Sequence, residues 1–124
     1  MKKTIIIVDD EPNLRELVKG IMELEGYRVI TAEDGKRGLE AIEAHKPDLV
    51  LLDMMMPGMT GREVCQKIRA TPKIADTKVI FLTVAKFSEM GKGMLKDMQV
   101  IDYITKPFDN ANLVERVKKA LTRK

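Results

Sequence analysis

Asp9 and Asp10 close the apolar run Ile5-Ile6-Ile7-Val8, and Asp53 closes the run Leu49-Val50-Leu51-Leu52. Thr83 follows Val79-Ile80-Phe81-Leu82, and Lys106 follows Tyr103-Ile104-Thr105. Carboxylates at the ends of buried strands crowd like charge where water is scarce, which is costly. A chain that brings three together has a use for them, most simply to hold a divalent cation and do phosphate chemistry. Three carboxylates and one lysine leave a charge of −2, which one Mg²⁺ cancels. Two unit charges about 4 Å apart repel by on the order of 4 kcal/mol at an effective dielectric near 20, so the metal-free cluster subtracts from folding stability. Mg²⁺ keeps several waters and asks for one or two protein carboxylates beside phosphate oxygens, so an incomplete acidic cage suits it. The Thr83 hydroxyl and the Lys106 ammonium add a donor and a compact cation, a set that suits a dianionic ligand. A central carboxylate can attack phosphorus and form an acyl phosphate. Asp53 is the candidate, because it stands alone at a central strand end while Asp9 and Asp10 form a metal-holding pair.

The elements that must position these groups follow from the hydrophobic pattern. Short apolar runs near residues 4–8, 28–32, 48–52, 78–82 and 100–104 read as strands. Between them, Leu14, Leu17, Val18 and Ile21 recur at helical spacing, with Pro12 suited to the first turn and Gly26 to the stop. Leu39 and Ile42 begin a second helical face closed by Lys46-Pro47, Val64 and Ile68 mark a third closed before Pro72, and Leu113, Val117, Ala120 and Leu121 mark the last. The fourth helix, over 86–98, carries two glycines that cost roughly 1 kcal/mol each against alanine, which predicts a short, frayed or movable element. Five strands alternating with five helices predict a doubly wound parallel α/β sheet with right-handed crossovers. The flavodoxin-like order 2-1-3-4-5 is favoured, because it makes strands one and three neighbours at the switch point where ligands bind. Thr31-Ala32-Glu33-Asp34 falls outside the site, at the start of the next loop.

Bulk properties narrow the function classes. The 124 residues fit one domain over 1–124, and 44% hydrophobic with 33% charged residues is a globular balance. No apolar stretch reaches the length of a membrane span, and the N-terminus has no signal-peptide pattern. A single cysteine, Cys65, excludes an intrachain disulfide and points to a cytoplasmic home. The net charge of +3 is mild, and the basic end Arg116, Lys118, Lys119, Arg123 and Lys124 reads as a solvated helix face, so nucleic-acid and membrane binding are not expected.

Four segments in order, Asp9-Asp10-Glu11-Pro12, Asp53 through Gly61, Leu82-Thr83 and Tyr103 through Phe108, give the chain its resemblance to the receiver domain of two-component response regulators, and closely to the single-domain chemotaxis type. The resemblance spans essentially the whole chain. It implies phosphoryl transfer from a histidine kinase's phosphohistidine to Asp53. It implies Mg²⁺ held by Asp10, Asp53 and the backbone carbonyl of Met55, with Asp9 acting through water. Thr83 and Lys106 would bind the phosphoryl oxygens, and Lys106-Pro107 would be a cis peptide. Thr83 and Tyr103 would act as the switch, reshaping the surface of helix four, strand five and helix five for an effector. Such a protein catalyses only its own phosphorylation and dephosphorylation, and works as a monomer or a phosphorylation-dependent dimer. Its donor is a sensor histidine kinase or a phosphotransfer protein. With no linker after the last helix, the chain reads as a free-standing receiver or one cut from a longer regulator.

Two departures from the family pattern matter. Val84 stands where a small residue is usual, which predicts narrower access to Asp53 or a hindered threonine shift. Gln99-Val100 replaces a frequent Gly-Ala, which predicts a different end to helix four. Met55 and Ala85 occupy positions that the family uses to tune hydrolysis.

Blander readings stand beside these. Asp9-Asp10 before Pro12 can be a helix cap, Tyr103 a half-buried strand aromatic, Cys65 a small buried hydrophobe and His45 a helix-end cation. The run Met54-Met55-Met56 reads as loop packing rather than a soft-metal site. Competing functions are an aspartyl-nucleophile phosphatase, a flavodoxin-like cofactor binder and a phosphorylation-independent interaction module. The first lacks Asp-x-Asp and a cap insertion, and an acidic first loop repels the phosphate of the second.

Overall fold

Runs of Ile, Val and Leu only four or five residues long, bounded by turn chemistry, become strands rather than helices. In the computed structural model, which describes residues 2–84, 96 and 98–122, these are β1 (Thr4–Val8), β2 (Arg28–Ala32), β3 (Leu49–Asp53), β4 (Val79–Thr83) and β5 (Asp102–Thr105). The described helices are α1 (Pro12–Leu24), α2 (Gly35–His45), α3 (Gly61–Ala70) and a C-terminal helix (Asn110–Thr122). All strand pairs are parallel, in the order β2-β1-β3-β4-β5. The flavodoxin-like expectation therefore holds. Of the helix expected over 86–98, all but Lys96 and Met98 lies outside the described residues.

Strand alternation divides the core into two layers. Ile6, Val8, Val50, Leu52, Val79 and Phe81 face α2 and α3, meeting Ile42, Val64, Cys65 and Ile68. Ile5, Ile7, Leu49, Leu51, Ile80 and Leu82 face α1 and the C-terminal helix, meeting Val18, Met22, Leu113 and Val117. Because β1, β3 and β4 are covered on both faces, their interiors read as unbroken apolar runs. Leu17, grouped with the α1 core face by its spacing, is half exposed, and Met22 takes the buried position one turn below Val18. The 3.6-residue period brings 18 and 22 onto one line and leaves 17 at its edge.

Local chemistry sets the helix ends. Pro12 occupies the first turn of α1, where its missing N–H costs nothing. The Asp34 carboxylate caps α2 by accepting from the Arg37 N–H at 2.8 Å, which keeps Glu33-Asp34 in the loop role expected of it. Thr60 and Glu63 form a reciprocal capping box at α3. The fifth strand starts later than the pattern predicts, at Asp102, although the Ile101 N–H already bonds the Val79 carbonyl. Gln99 lies before it in the left-handed region with φ 57°, where a glycine would sit without strain, and its N–H bonds the Lys96 carbonyl. The substituted Gln99-Val100 pair thus keeps a glycine-type backbone. No helix among the described residues is long and apolar enough to cross a membrane.

Candidate functional site

The carboxyl ends of β1, β3 and β4 lie side by side at the point where successive helices pass to opposite faces of the sheet. In such sheets this is where ligands bind. Asp9 follows β1 and is fully buried, whereas Asp10 is exposed. The chain leaves the sheet here, so adjacent side chains face a dry and a wet environment. Asp53 ends β3 at 4% exposure, and Thr83 ends β4 at 0%. Lys106 follows β5, its backbone N–H bonded to the Thr83 carbonyl at 2.6 Å.

Asp9, Asp10 and Asp53 each offer a carboxylate oxygen within 4.8 Å of the others. Lys106 spans two of them: its Nζ lies 2.8 Å from Asp9 Oδ2 and 3.5 Å from Asp53 Oδ1. Asp9 Oδ1 accepts the Glu11 N–H at 2.9 Å, and Asp53 Oδ1 accepts the Met55 N–H at 3.1 Å. The bland reading of the acid pair as a helix cap does not describe this arrangement. Glu11 is the N-cap of α1, without a side-chain cap bond, while the Asp9 carboxylate faces Lys106.

Burial pushes the Asp53 carboxyl up from 3.8 to about 6. The Met55 N–H and Lys106 pull it down, while the Asp9 charge and the hydrogen bond with Asp10 raise it further. The lysine therefore leaves this carboxylate under-compensated. Asp9, Asp10 and Asp53 are hard oxygen donors with excess negative charge and mixed burial, a donor set that fits Mg²⁺ rather than a soft metal.

Asp9, Asp10, Asp53 and Lys106 line one open cleft of about 460 Å³ with Glu11, Pro12, Met55 and Val84. Met55 is 63% exposed and Val84 67% exposed, so both apolar side chains stand at its mouth. Loop packing describes Met54 and Met56 but not Met55. Tyr103 lies apart from the cleft, on β5 opposite Phe81, half-buried against the α2–α3 layer.

Two residues to which the sequence assigns no individual role support the site. Gly61 brings the start of α3 against the end of β3, where an added Cβ would strike the Asp53 carbonyl and lie 2.7 Å from Met54 Cα. Arg15 donates from Nη1 to the Asp9 carbonyl at 2.6 Å. A glycine between Thr60 and Arg62 and an arginine on an amphipathic helix carry little local signal. The threonine three residues before Glu63, a capping-box pattern, is the local signal that α3 begins so close to Asp53. The peptide Lys106-Pro107 is cis, as the family resemblance implies.

The sequence matches the response regulator receiver domain family over residues 5–118. The chain belongs to this family. Solved receiver structures superpose along nearly its whole length. The chemotaxis protein CheY4 of Vibrio cholerae shares 27% identity with a TM-score of 0.90, covering 97% of this chain and 99% of that one. The N-terminal domain of a response regulator receiver protein from Methanoculleus marisnigri JR1 shares 37% identity at a TM-score of 0.81, covering 98% of each chain. The BeF3-activated N-terminal receiver domain of Klebsiella pneumoniae RstA shares 31% identity at 0.86, covering 97% of this chain and 99% of that one. In this receiver domain the acidic cluster occupies the carboxyl edge of the sheet, and Lys106 bridges two of its members.

Proposed function

We propose that this receiver domain is a phosphorylation-activated switch that takes a phosphoryl group onto Asp53 from a phosphohistidine of a sensor kinase or phosphotransfer protein. The observation that carries this reading is the bridge of Lys106 between Asp9 and Asp53, beside a carboxyl that burial leaves under-compensated. Asp53 is the nucleophile. An Oδ lone pair forms the O–P bond, the P–N bond of the donor breaks, and its electron pair returns to the imidazole, which is then protonated. Lys106 loses little in this exchange, because the new phosphoryl oxygens replace a carboxylate as its partner. The Thr83 hydroxyl, at the neighbouring strand end, would donate to the same oxygens. Asp10, Asp53 and the Met55 carbonyl would hold Mg²⁺, with Asp9 behind them through water. Bound there, the ion offsets charge on the phosphoryl oxygens.

The buried acids keep the metal-free state charged and costly, and modification changes that balance, so one local event can bias a two-state surface. Thr83 and Tyr103 are the residues assigned to that change, and the face around β5 and the C-terminal helix is assigned to the effector. The RstA receiver domain was solved in a BeF3-activated form, which supports activation by a bound ligand in this fold. A cytoplasmic site of action is in keeping with a single, unpaired cysteine. Incubation with Mg²⁺ and acetyl phosphate, read by intact mass, tests the proposal. A single phosphoryl adduct that Asp53→Asn abolishes supports it, and no adduct with any small donor refutes it.

A further inference from the structure

We infer that Arg15 is a positioning residue for the acidic trio: it fixes the peptide that joins Asp9 to Asp10 and so sets where Asp10 stands relative to Asp53. The inference rests on the reading of the trio as a Mg²⁺ site. Beyond Val8 the chain leaves the sheet, and Asp9 retains one bond to it, from its N–H to the Ala32 carbonyl at 3.1 Å. Its carboxylate is anchored twice, by the Glu11 N–H at 2.9 Å and by Lys106 Nζ at 2.8 Å. Its carbonyl, turned out of the strand, accepts from Arg15 Nη1 at 2.6 Å, a short charge-assisted bond from the first turns of α1.

The peptide unit is planar, so holding the Asp9 carbonyl also holds the Asp10 nitrogen and Cα. Asp10 is the exposed member of the trio, and its place depends on the backbone that carries it. Arg15 is thereby tied to a group that must meet two others within 4.8 Å. Partners that orient metal ligands without touching the metal commonly matter on the order of 10-fold or more in affinity.

Charge and geometry make opposite forecasts, which makes the idea testable. A guanidinium beside a cation site repels the cation, so if charge alone mattered, removing it would tighten Mg²⁺ binding. If Arg15 acts by positioning, removing it weakens binding. The probe is Mg²⁺ alone, titrated calorimetrically into the wild-type chain, Arg15→Met and Arg15→Lys. We expect the methionine variant to bind Mg²⁺ more weakly by on the order of 10-fold. Lysine, which keeps a donor, should restore most of the loss, and the Asp10 amide ¹⁵N resonance of the metal-free protein should move in Arg15→Met but little in Arg15→Lys. An unchanged or tighter Kd in Arg15→Met overturns the inference, even if its melting temperature falls. Should Arg15→Met fail to fold, Arg15→Gln, neutral and too short to reach the carbonyl, replaces it with the same expected result. If the wild type itself binds no Mg²⁺, the functional reading fails and takes this inference with it.

Discussion

Replacing Asp53 with asparagine should make the metal-free protein more stable, by an amount that depends on pH. The Asp53 carboxyl is raised from 3.8 to about 6, and burial is the main cause. Between those values the folded state holds a proton that the unfolded chain has released, so stability falls as pH rises from about 4 to about 6 and stays low above that. One pKa unit corresponds to 1.36 kcal/mol, so the ionised carboxylate costs about 3 kcal/mol of stability at pH 8. Asparagine keeps an oxygen to accept the Met55 N–H and leaves Lys106 its closer partner, Asp9, so few compensating contacts are lost. With an unfolding entropy of roughly 2 cal/mol/K per residue, a chain of this length should gain on the order of 10 °C in melting temperature. The assay is thermal unfolding by circular dichroism in EDTA across pH 4 to 8, for wild type and Asp53→Asn. The gap should be wide at pH 8 and close towards pH 4. Mg²⁺ at about 100 times its Kd should stabilise the wild type by about 2.7 kcal/mol and nearly erase the gap at pH 8. An asparagine variant that melts at or below the wild type at pH 8 without metal would refute the crowding argument, and so would a gap indifferent to pH.

Other expectations follow from the supports of the site. Gly61→Ala should cost roughly 2 kcal/mol in urea unfolding and slow phosphorylation of Asp53, because the added carbon meets backbone that cannot give way. Wild-type stability in that variant would show that the α3–β3 approach is looser than described. Gln99→Gly should stabilise the protein by roughly 0.5 kcal/mol, the relief of a left-handed backbone less the extra freedom of glycine in the unfolded chain, whereas Gln99→Val should lose more than about 1 kcal/mol. Arg69 donates to the carbonyls of Ala75, Thr77, Met98 and Gln99, tying α3 to the approaches of β4 and β5. Arg69→Met should therefore lower stability by about 2 kcal/mol or more in the same urea assay, and a loss below about 0.5 kcal/mol would show that water replaces those bonds.

The sheet and its order were legible because β1, β3 and β4 are buried on both faces and leave unbroken apolar runs that end in polar groups. That same pattern brought Asp9, Asp53 and Thr83 to one edge. Spacing alone could not say that Asp9 would be buried against Lys106 while its neighbour Asp10 faces water, since this depends on where the strand stops. It mis-set Leu17, because a helical period identifies a stripe and not its centre. It does not reveal Arg15, or the packing role of Gly61 within its motif, because both act through contacts with backbone atoms rather than through their own chemistry. Val84, expected to narrow access to Asp53 or hinder the threonine shift, stands at the mouth of the cleft, 67% exposed beside Met55. Its side chain borders the approach to Asp53 rather than filling it.

Whether Asp53 carries the phosphoryl group can be read directly from the modified protein. Phosphoramidate, whose P–N bond resembles that of phosphohistidine, should load the protein in the presence of Mg²⁺. Borohydride then reduces an aspartyl phosphate to homoserine, which peptide mass spectrometry can locate. Homoserine at position 53 and at neither position 9 nor 10 is the predicted result; its absence at 53, or its appearance at 9 or 10 instead, would contradict the account.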